Sequence, residues 1–351
     1  MTIDTRPGAS TKEAPGRASR PRAAGRPGAD PARPKPFTPW LFLAPYLLLF
    51  IVFVVAPSVF GIWISLHDWD YTLPNQPFVG AENYTDLFDP ESVNGGSFWT
   101  SMRATGIFTL FSVPLLLVLP LLVALLMNQK FPGRNFFRAV YFAPYVLGVA
   151  VVGLMWRYLL DNNIGLVNFY LGLFGLPDDT AWTTSLPAAW VALVGVTVWW
   201  TLGFNAVIYL AALQDIPAEL YEAAEMDGAN SWQRFRAVTL PGLRPILTFV
   251  TINTLIASAN MFGQSYIITQ GAPGRETRTA IYQIAETGLR NFQMGDAAAM
   301  SYVLTLFLML VSVVVFWVFR ERRDKADKDS TPVAAEIPAG AAAIVKGEVG
   351  L

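Results

Sequence analysis

The sequence predicts an all-α integral membrane protein with six transmembrane helices, on three observations. Hydrophobic residues make up 53% of the chain and charged residues 15%, where an average soluble domain is roughly 25% charged. Six runs carry no charged side chain: Trp40–Leu66, Ala104–Gln129, Ala139–Trp156, Thr180–Gln214, Pro245–Gly274 and Ala297–Phe319. Lys and Arg crowd some connecting loops and avoid others, as they do when a chain crosses a bilayer repeatedly.

Each element follows in order. About 20 apolar residues cross a hydrocarbon core of about 30 Å, and inside lipid the backbone has to bond to itself, so such runs become helices. The predicted spans are about 40–66, 104–129, 139–160, 188–213, 245–264 and 297–319. The first would be about 40 Å long as a straight helix, so it tilts, kinks or projects from the bilayer. Pro57, Pro114, Pro120 and Pro144 are candidate kinks around a cavity, although membrane helices also tolerate proline without one.

Residues 1–39 hold eight Lys/Arg, eight Pro and four Gly with almost nothing apolar. Such a segment cannot offset its ordering entropy and is expected to be a disordered basic tail, solvated near the lipid surface. It is too long and Pro-rich for a signal n-region, so the first apolar run is read as a retained span. The tail 324–351 is likewise expected to be disordered, which leaves 40–323 as the membrane domain.

Orientation follows the basic residues. Residues 67–101 carry no Lys or Arg and six acids, whereas Lys130, Arg134 and Arg138 cluster in the next loop. Arg234, Arg236 and Arg244 lie in a later loop, and five Lys/Arg follow from Arg320 to Lys328; Arg275, Arg278 and Arg290 are the exception. The sum puts both termini and the loop 215–241 inside the cell. On the outer side, Trp69, Tyr71, Tyr84 and Trp99 suit an interfacial belt. Ile281, Ala285, Leu289 and Phe292 have the spacing of an amphipathic helix.

The loop 215–241 lies between two of the most apolar runs. Asp215 and Pro217 suit a helix start, and good helix formers follow from Ala218 to Met226. Gly228 suits a left-handed terminus. Glu219, Glu222 and Glu225 recur every third residue as an acid ridge, while Ala223 and Ala224 leave a shallow surface that a partner can approach. A second short helix is expected over 231–237, with Trp232, Phe235 and Val238 turned toward the membrane domain and Leu240-Pro241 ending it.

Glu222-Ala223-Ala224, Gly228, Val238 and Leu240-Pro241 together resemble the EAA loop of the membrane subunits of binding-protein-dependent ABC importers. The resemblance covers about residues 39–323. It includes Gly80-Ala81-Glu82-Asn83-Tyr84, Arg138 through Pro144, Trp156-Arg157 and Asn291-Phe292 with Gly295 and Ala298, as in the sugar-permease (maltose-type) branch. Gln270 and Ala272 interrupt the family's glycine pattern near Thr269. The resemblance implies a type I ABC importer transmembrane domain whose cytoplasmic coupling helix, around Glu222, docks on an ATPase. Implied partners are a second homologous permease subunit, two ATP-binding subunits and an extracellular or periplasmic solute-binding protein, with a sugar or oligosaccharide as cargo. No nucleic-acid partner is implied.

Absences narrow the chemistry. There is no cysteine, which excludes disulfides and thiolate catalysis, and the single histidine, His67, excludes paired-histidine metal sites. None of the six lysines follows a glycine, so the Gly-Lys ending of a phosphate-binding loop is missing. ATP and Mg are then expected to act through a partner ATPase, with no cofactor on this chain. An ion-coupled secondary transporter is the alternative of another class. It usually carries ionisable groups within its spans, and these six runs have none. A permease for a polyol or a glycerophosphodiester is the alternative within the same branch. An enzyme would need clustered acids; Asp68 and Asp70 beside Trp69 read as a solvated span end.

A sugar is held by hydrogen bonds and aromatic faces. Candidate pathway residues are Trp199, Trp200 and Asn205 in the fourth span, Asn253 and Asn260 in the fifth, Gln264 at its end and Tyr302 in the sixth. A buried amide in a membrane either glues helices together or lines a cavity, and both readings stand at this point.

Overall fold

The computed structural model describes residues 38–329, with side chains from 40 to 318. Most of the two expected tails lies outside these residues. At their inner edges, the first helix starts at Thr38 and the last continues to Asp329. The Arg, Glu, Lys and Ala that follow the last apolar residue are good helix formers and let it propagate.

Backbone contacts divide the chain after Pro57. The first unit contains α1 (Thr38–Phe50) and a π-helical turn at Ile51–Val55, and it ends at the start of α2 (Ala56–Ser65). Trp40–Ser65 is an uninterrupted apolar stretch of 26 residues.

The second unit contains the remainder of α2, then α3 (Glu82–Phe88), α4 (Val93–Asn128), α5 (Arg134–Val146), α6 (Val149–Leu159), α7 (Leu166–Leu173) and α8 (Ala188–Gln214). It continues with α9 (Ala218–Met226), α10 (Ser231–Arg234), α11 (Leu240–Gly242), α12 (Arg244–Ala259), α13 (Ala280–Ala285) and α14 (Met294–Asp329). Among the described residues there is no strand, only an isolated bridge between His67 and Phe78. Four helices are long and apolar enough to cross a membrane. Two bent pairs, α5 with α6 at 96° and 231–242 with α12 at 68°, bring the number to six if each pair is one span.

α8 is the central helix of this unit and packs on α4, α5 and α12. Its Ala189, Leu193, Val196, Ala206 and Leu210 are buried. One core layer joins Phe108, Leu116, Val152, Leu193 and Ile268; a second joins Ala124, Met127, Tyr209, Leu213 and Leu243. Lipid tails are as apolar as these side chains, so close packing has to hold the helices together. Gly203 shows the mechanism. A Cβ there would lie far inside contact distance of the Tyr141 carbonyl oxygen, so only glycine lets α8 come this close to α5.

Three spans depart from the sequence reading. The second helix begins at Val93, capped by Ser92 Oγ accepting from the Gly95 N–H at 3.4 Å. Thr100 and Thr105 bond to their own helix and Arg103 pairs with Glu276, so charge near 103 does not stop it. The third span is broken at Leu147-Gly148, one turn after Pro144. The fifth ends at Ala259, not 264.

After α12 the chain runs from Asn260 to Thr279 with one π-helical turn, Ser265–Thr269. Irregular backbone survives inside a membrane domain only if its polar groups are satisfied. Here hydroxyls do it. Thr279 Oγ1 donates to Met261 O at 2.6 Å, Ser265 Oγ donates to Thr277 O at 2.6 Å, and Thr105 Oγ1 accepts from the Ala280 N–H at 2.8 Å. Thr277, Thr279 and Ser265 are fully buried.

The segment 279–292 is helical, as α13 and a π-helical turn at Glu286–Arg290. The face that packs is a different one. Ala280, Gln283 and Thr287 are buried, while Leu289 and Phe292 are exposed. The inner face is polar because it meets the Arg278–Glu286 ion pair, whose side chains are only 12% and 17% exposed. The Arg278 guanidinium also lies 4.9 Å from the centre of the Tyr282 ring.

Candidate functional site

Two regions carry the sequence-predicted residues, the loop 215–241 and a cavity among the spans.

In the loop, α9 forms where helix formers accumulate. Its start differs from expectation. Asp215 caps the end of α8, its N–H donating to Ala212 O, and Pro217 stands at the N-cap of α9. Helical backbone angles persist at Asp215, so the turn waits for Pro217, whose ψ of 132° is extended. The stop follows the sequence. Gly228 has φ +77°, and the N–H groups of Asp227, Gly228 and Ala229 return to Ala223, Glu225 and Ala224. This closes the C-terminal carbonyls in the manner of a left-handed glycine cap.

Glu219, Glu222 and Glu225 are all exposed. They are not equivalent, because Glu225 pairs with Arg234 at 3.0 Å. Ala223 is exposed and Ala224 half-buried. Asn230 and Gln233 form a reciprocal capping box that starts α10.

Leu240-Pro241 does not end the second helix. The run continues through a π-helical turn, Phe235–Thr239, into α11, and the direction changes at Leu243. Pro241 sits in the first turn of α11, where its missing N–H is not needed. Phe235 and Val238 are half-buried, whereas Trp232 is 68% exposed and stacks on Phe235 at 5.5 Å. Thr239, missed in the sequence, is buried and holds α9 through a 3.0 Å hydrogen bond with the Tyr221 hydroxyl.

The cavity, about 170 Å³, lies between α4, α5, α8, α12 and the segment that follows α12. Trp200, Asn205, Asn253 and Gln264 line it. Trp199, Asn260 and Tyr302 do not. Trp199 stacks edge-on with Trp156, Asn260 is exposed and bonds back to Ile256 O, and the Tyr302 hydroxyl donates to Ser58 O. The early end of α12 puts Asn260 on the cap instead of within a span.

Both readings of the buried amides hold at Asn205. Pro120 has no N–H, so the Leu116 carbonyl four residues earlier loses its helical partner. Asn205 Nδ2 donates to that carbonyl at 3.2 Å and to Thr254 Oγ1 at 3.4 Å. The residue glues α4, α8 and α12 together and still borders the cavity. Gln264 Nε2 similarly donates to Thr197 Oγ1 at 3.4 Å.

Trp200 has a second task. Its Nε1–H donates to Leu147 O at 3.0 Å, the carbonyl at the break between α5 and α6. Trp200→Phe keeps an aromatic ring and removes this donor. It should cost about 0.5–1.5 kcal/mol, the net worth of a typical hydrogen bond, read as a lower thermal midpoint of the purified protein. An unchanged midpoint would mean that the break is held elsewhere.

Sequence reasoning missed Thr197, Thr201, Phe204, Thr254, Ser258 and Tyr145, which also line the cavity. A signal was present for most of them. Thr197, Thr201 and Asn205 recur every four residues, as do Thr254 and Ser258, so each set shares one helix face. Tyr145, which stacks on Phe204 at 4.6 Å, is brought there only by the packing of α5 on α8.

No charged side chain lines this cavity. Amides, hydroxyls and aromatic rings can bind an uncharged polyhydroxyl solute. They offer no nucleophile–base pair and no set of metal ligands.

Comparison with known proteins agrees with this arrangement. Residues 94–320 match the family model of the binding-protein-dependent transport system inner membrane component. The chain is 32% identical over 286 residues to the probable starch degradation products transport system permease protein AmyD of Thermoanaerobacterium thermosulfurigenes, covering 81% of this chain and 94% of that one. It is 33% identical over 285 residues to the trehalose/maltose transport system permease protein MalF of Thermococcus litoralis, covering 81% and 94%. A third relative, the arabinooligosaccharides transport system permease protein AraP of Halalkalibacterium halodurans, is 33% identical over 279 residues, with 78% and 85% covered. The fold is similar to that of a bacterial ABC transporter involved in the import of the acidic polysaccharide alginate. The TM-score is 0.66 at 21% identity, over 80% of this chain and 94% of that one. The chain is therefore a multi-pass membrane protein that belongs to the family of binding-protein-dependent transport system inner membrane components.

Proposed function

We propose that this chain is the permease subunit of an ATP-driven importer for a sugar or oligosaccharide handed over by an extracellular or periplasmic binding protein. The observation that carries the reading is near-complete coverage of permeases named for starch products, trehalose/maltose and arabinooligosaccharides. The uncharged cavity of amides, hydroxyls and aromatic rings fits such a cargo. At about 170 Å³ it is smaller than the roughly 300–1,000 Å³ of a typical ligand site, so the pathway has to open for a saccharide to pass.

A second homologous permease subunit would complete the pore, and two ATP-binding subunits would drive it. α9 is the coupling helix of this reading, on the cytoplasmic side with both termini. ATP closes the paired ATPases, α9 moves with them, and the pore turns outward; hydrolysis resets it. The nucleotide has to bind the two pore states with different affinity, because otherwise it shifts nothing.

The test is genetic. Cells lacking this chain should lose uptake of radiolabelled maltodextrins or arabinooligosaccharides, and a plasmid copy should restore it. Unimpaired uptake of every saccharide tried would overturn the sugar assignment.

A further inference from the structure

We infer that the turn between α4 and α5 binds the phosphate headgroup of an anionic phospholipid. α4 is an apolar span that ends at Asn128, and α5 begins at Arg134. Gly133 reverses the chain between them at φ +83°. The turn gathers Lys130, Phe131, Pro132 and Arg134 around a cleft of about 340 Å³.

The charges in this cleft are uncompensated. Lys130 and Arg134 are both exposed. Among the described residues, no carboxylate lies within 4.0 Å of either. Arg138, the third cation of the stretch, is already used: its Nη2 donates to Met127 O at 3.2 Å and ties the end of α4 to α5. An ammonium beside a guanidinium is a combination that binds a phosphate by charge-assisted hydrogen bonds.

The apolar surroundings decide in favour of a lipid over a soluble anion. None of the residues of α5 is buried, and Phe136, Phe137 and Val140 are exposed along it. The cleft lies at the end of a membrane span, the level at which headgroups sit. A phosphate held by Lys130 and Arg134 would leave its acyl chains free to lie along these side chains. The Lys/Arg pattern of the loops puts the turn on the cytoplasmic side, the leaflet whose anionic lipids attract basic segments. The transport cavity is lined by other residues, so the site stands apart from the pathway.

The test uses the purified full-length chain and two lipids with identical acyl chains, phosphatidylglycerol and phosphatidylcholine. Binding is read by native mass spectrometry and by the thermal midpoint. Each basic side chain at an anionic surface is worth about fivefold, so Lys130 and Arg134 together should raise the preference for phosphatidylglycerol by about 25-fold. The double variant Lys130→Gln/Arg134→Gln should lower the preference by that factor, leaving only what the basic segments 1–39 and 320–328 contribute. The charge-preserving pair Lys130→Arg/Arg134→Lys should keep the preference, and all three proteins should melt alike in phosphatidylcholine. An unchanged preference in the glutamine variant would overturn the site. So would loss of the preference in the charge-preserving pair, which would assign the effect to packing. Inorganic phosphate stabilising the chain as well as the lipid does would also overturn it, in favour of a soluble anion.

Discussion

Cells carrying Glu222→Lys are expected to lose sugar uptake while the variant chain remains in the membrane at the wild-type level. Glu222 is exposed on α9 and has no hydrogen-bond or ion-pair partner among the described residues, so the fold does not depend on it. Breaking a desolvated charge pair at an interface costs about 2–5 kcal/mol. At the lower figure, the docking of an ATPase on α9 that we propose would fall about thirtyfold. Glu225 provides the internal comparison. It already pairs with Arg234 at 3.0 Å, so Glu225→Lys should also disturb the loop itself, whereas Glu222→Lys should leave it intact. ATP-dependent uptake is measured together with the amount of chain in the membrane. Normal uptake by an inserted Glu222→Lys protein would sink the coupling role of α9.

Gly203→Val should have the largest effect on stability. The added Cβ would be driven into the Tyr141 carbonyl, a backbone atom that cannot swing aside. Overpacking a close helix contact costs about 1–3 kcal/mol, occasionally more, and a β-branched residue is the least able to escape by changing rotamer. The α5–α8 contact also positions Tyr145 against Phe204 at the cavity. The variant is therefore expected to yield less monodisperse protein, with a lower thermal midpoint, and to lose uptake along with it. Gly195, on the same helix, has open space around its would-be Cβ. Gly195→Val should be well tolerated, and equal damage from the two changes would refute the close-approach explanation.

The membrane character, the apolar runs and the existence of a short helix with a glycine stop between two of them were legible along the chain. Hydropathy and capping are local properties. They act within one run of about 20 residues or one helical turn, and no distant contact is needed to read them. The boundaries that moved did so for tertiary reasons. α4 starts at Val93 because residues outside the bilayer continue it against α3. Where the third span breaks at Leu147, the indole of Trp200, more than fifty residues later, satisfies the freed carbonyl.

The cavity was half legible. Trp200, Asn205, Asn253 and Gln264 could be listed from residue type, but so could Trp199, Asn260 and Tyr302, which point elsewhere. A 3.6-residue period tells which residues share a face of one helix. It does not tell which faces of different helices meet. That is decided where glycines and prolines allow: at Gly203, where two backbones nearly touch, and at Pro120, whose missing N–H leaves a carbonyl that Asn205 answers. By itself the sequence determined that this is a membrane protein of apolar spans with an acid-bearing helix between two of them. The tertiary structure alone decided which polar side chains surround one cavity, because their partners lie on other helices: Asn205 and Trp200 answer backbone carbonyls that other helices left free, and Gln264 bonds to the hydroxyl of Thr197.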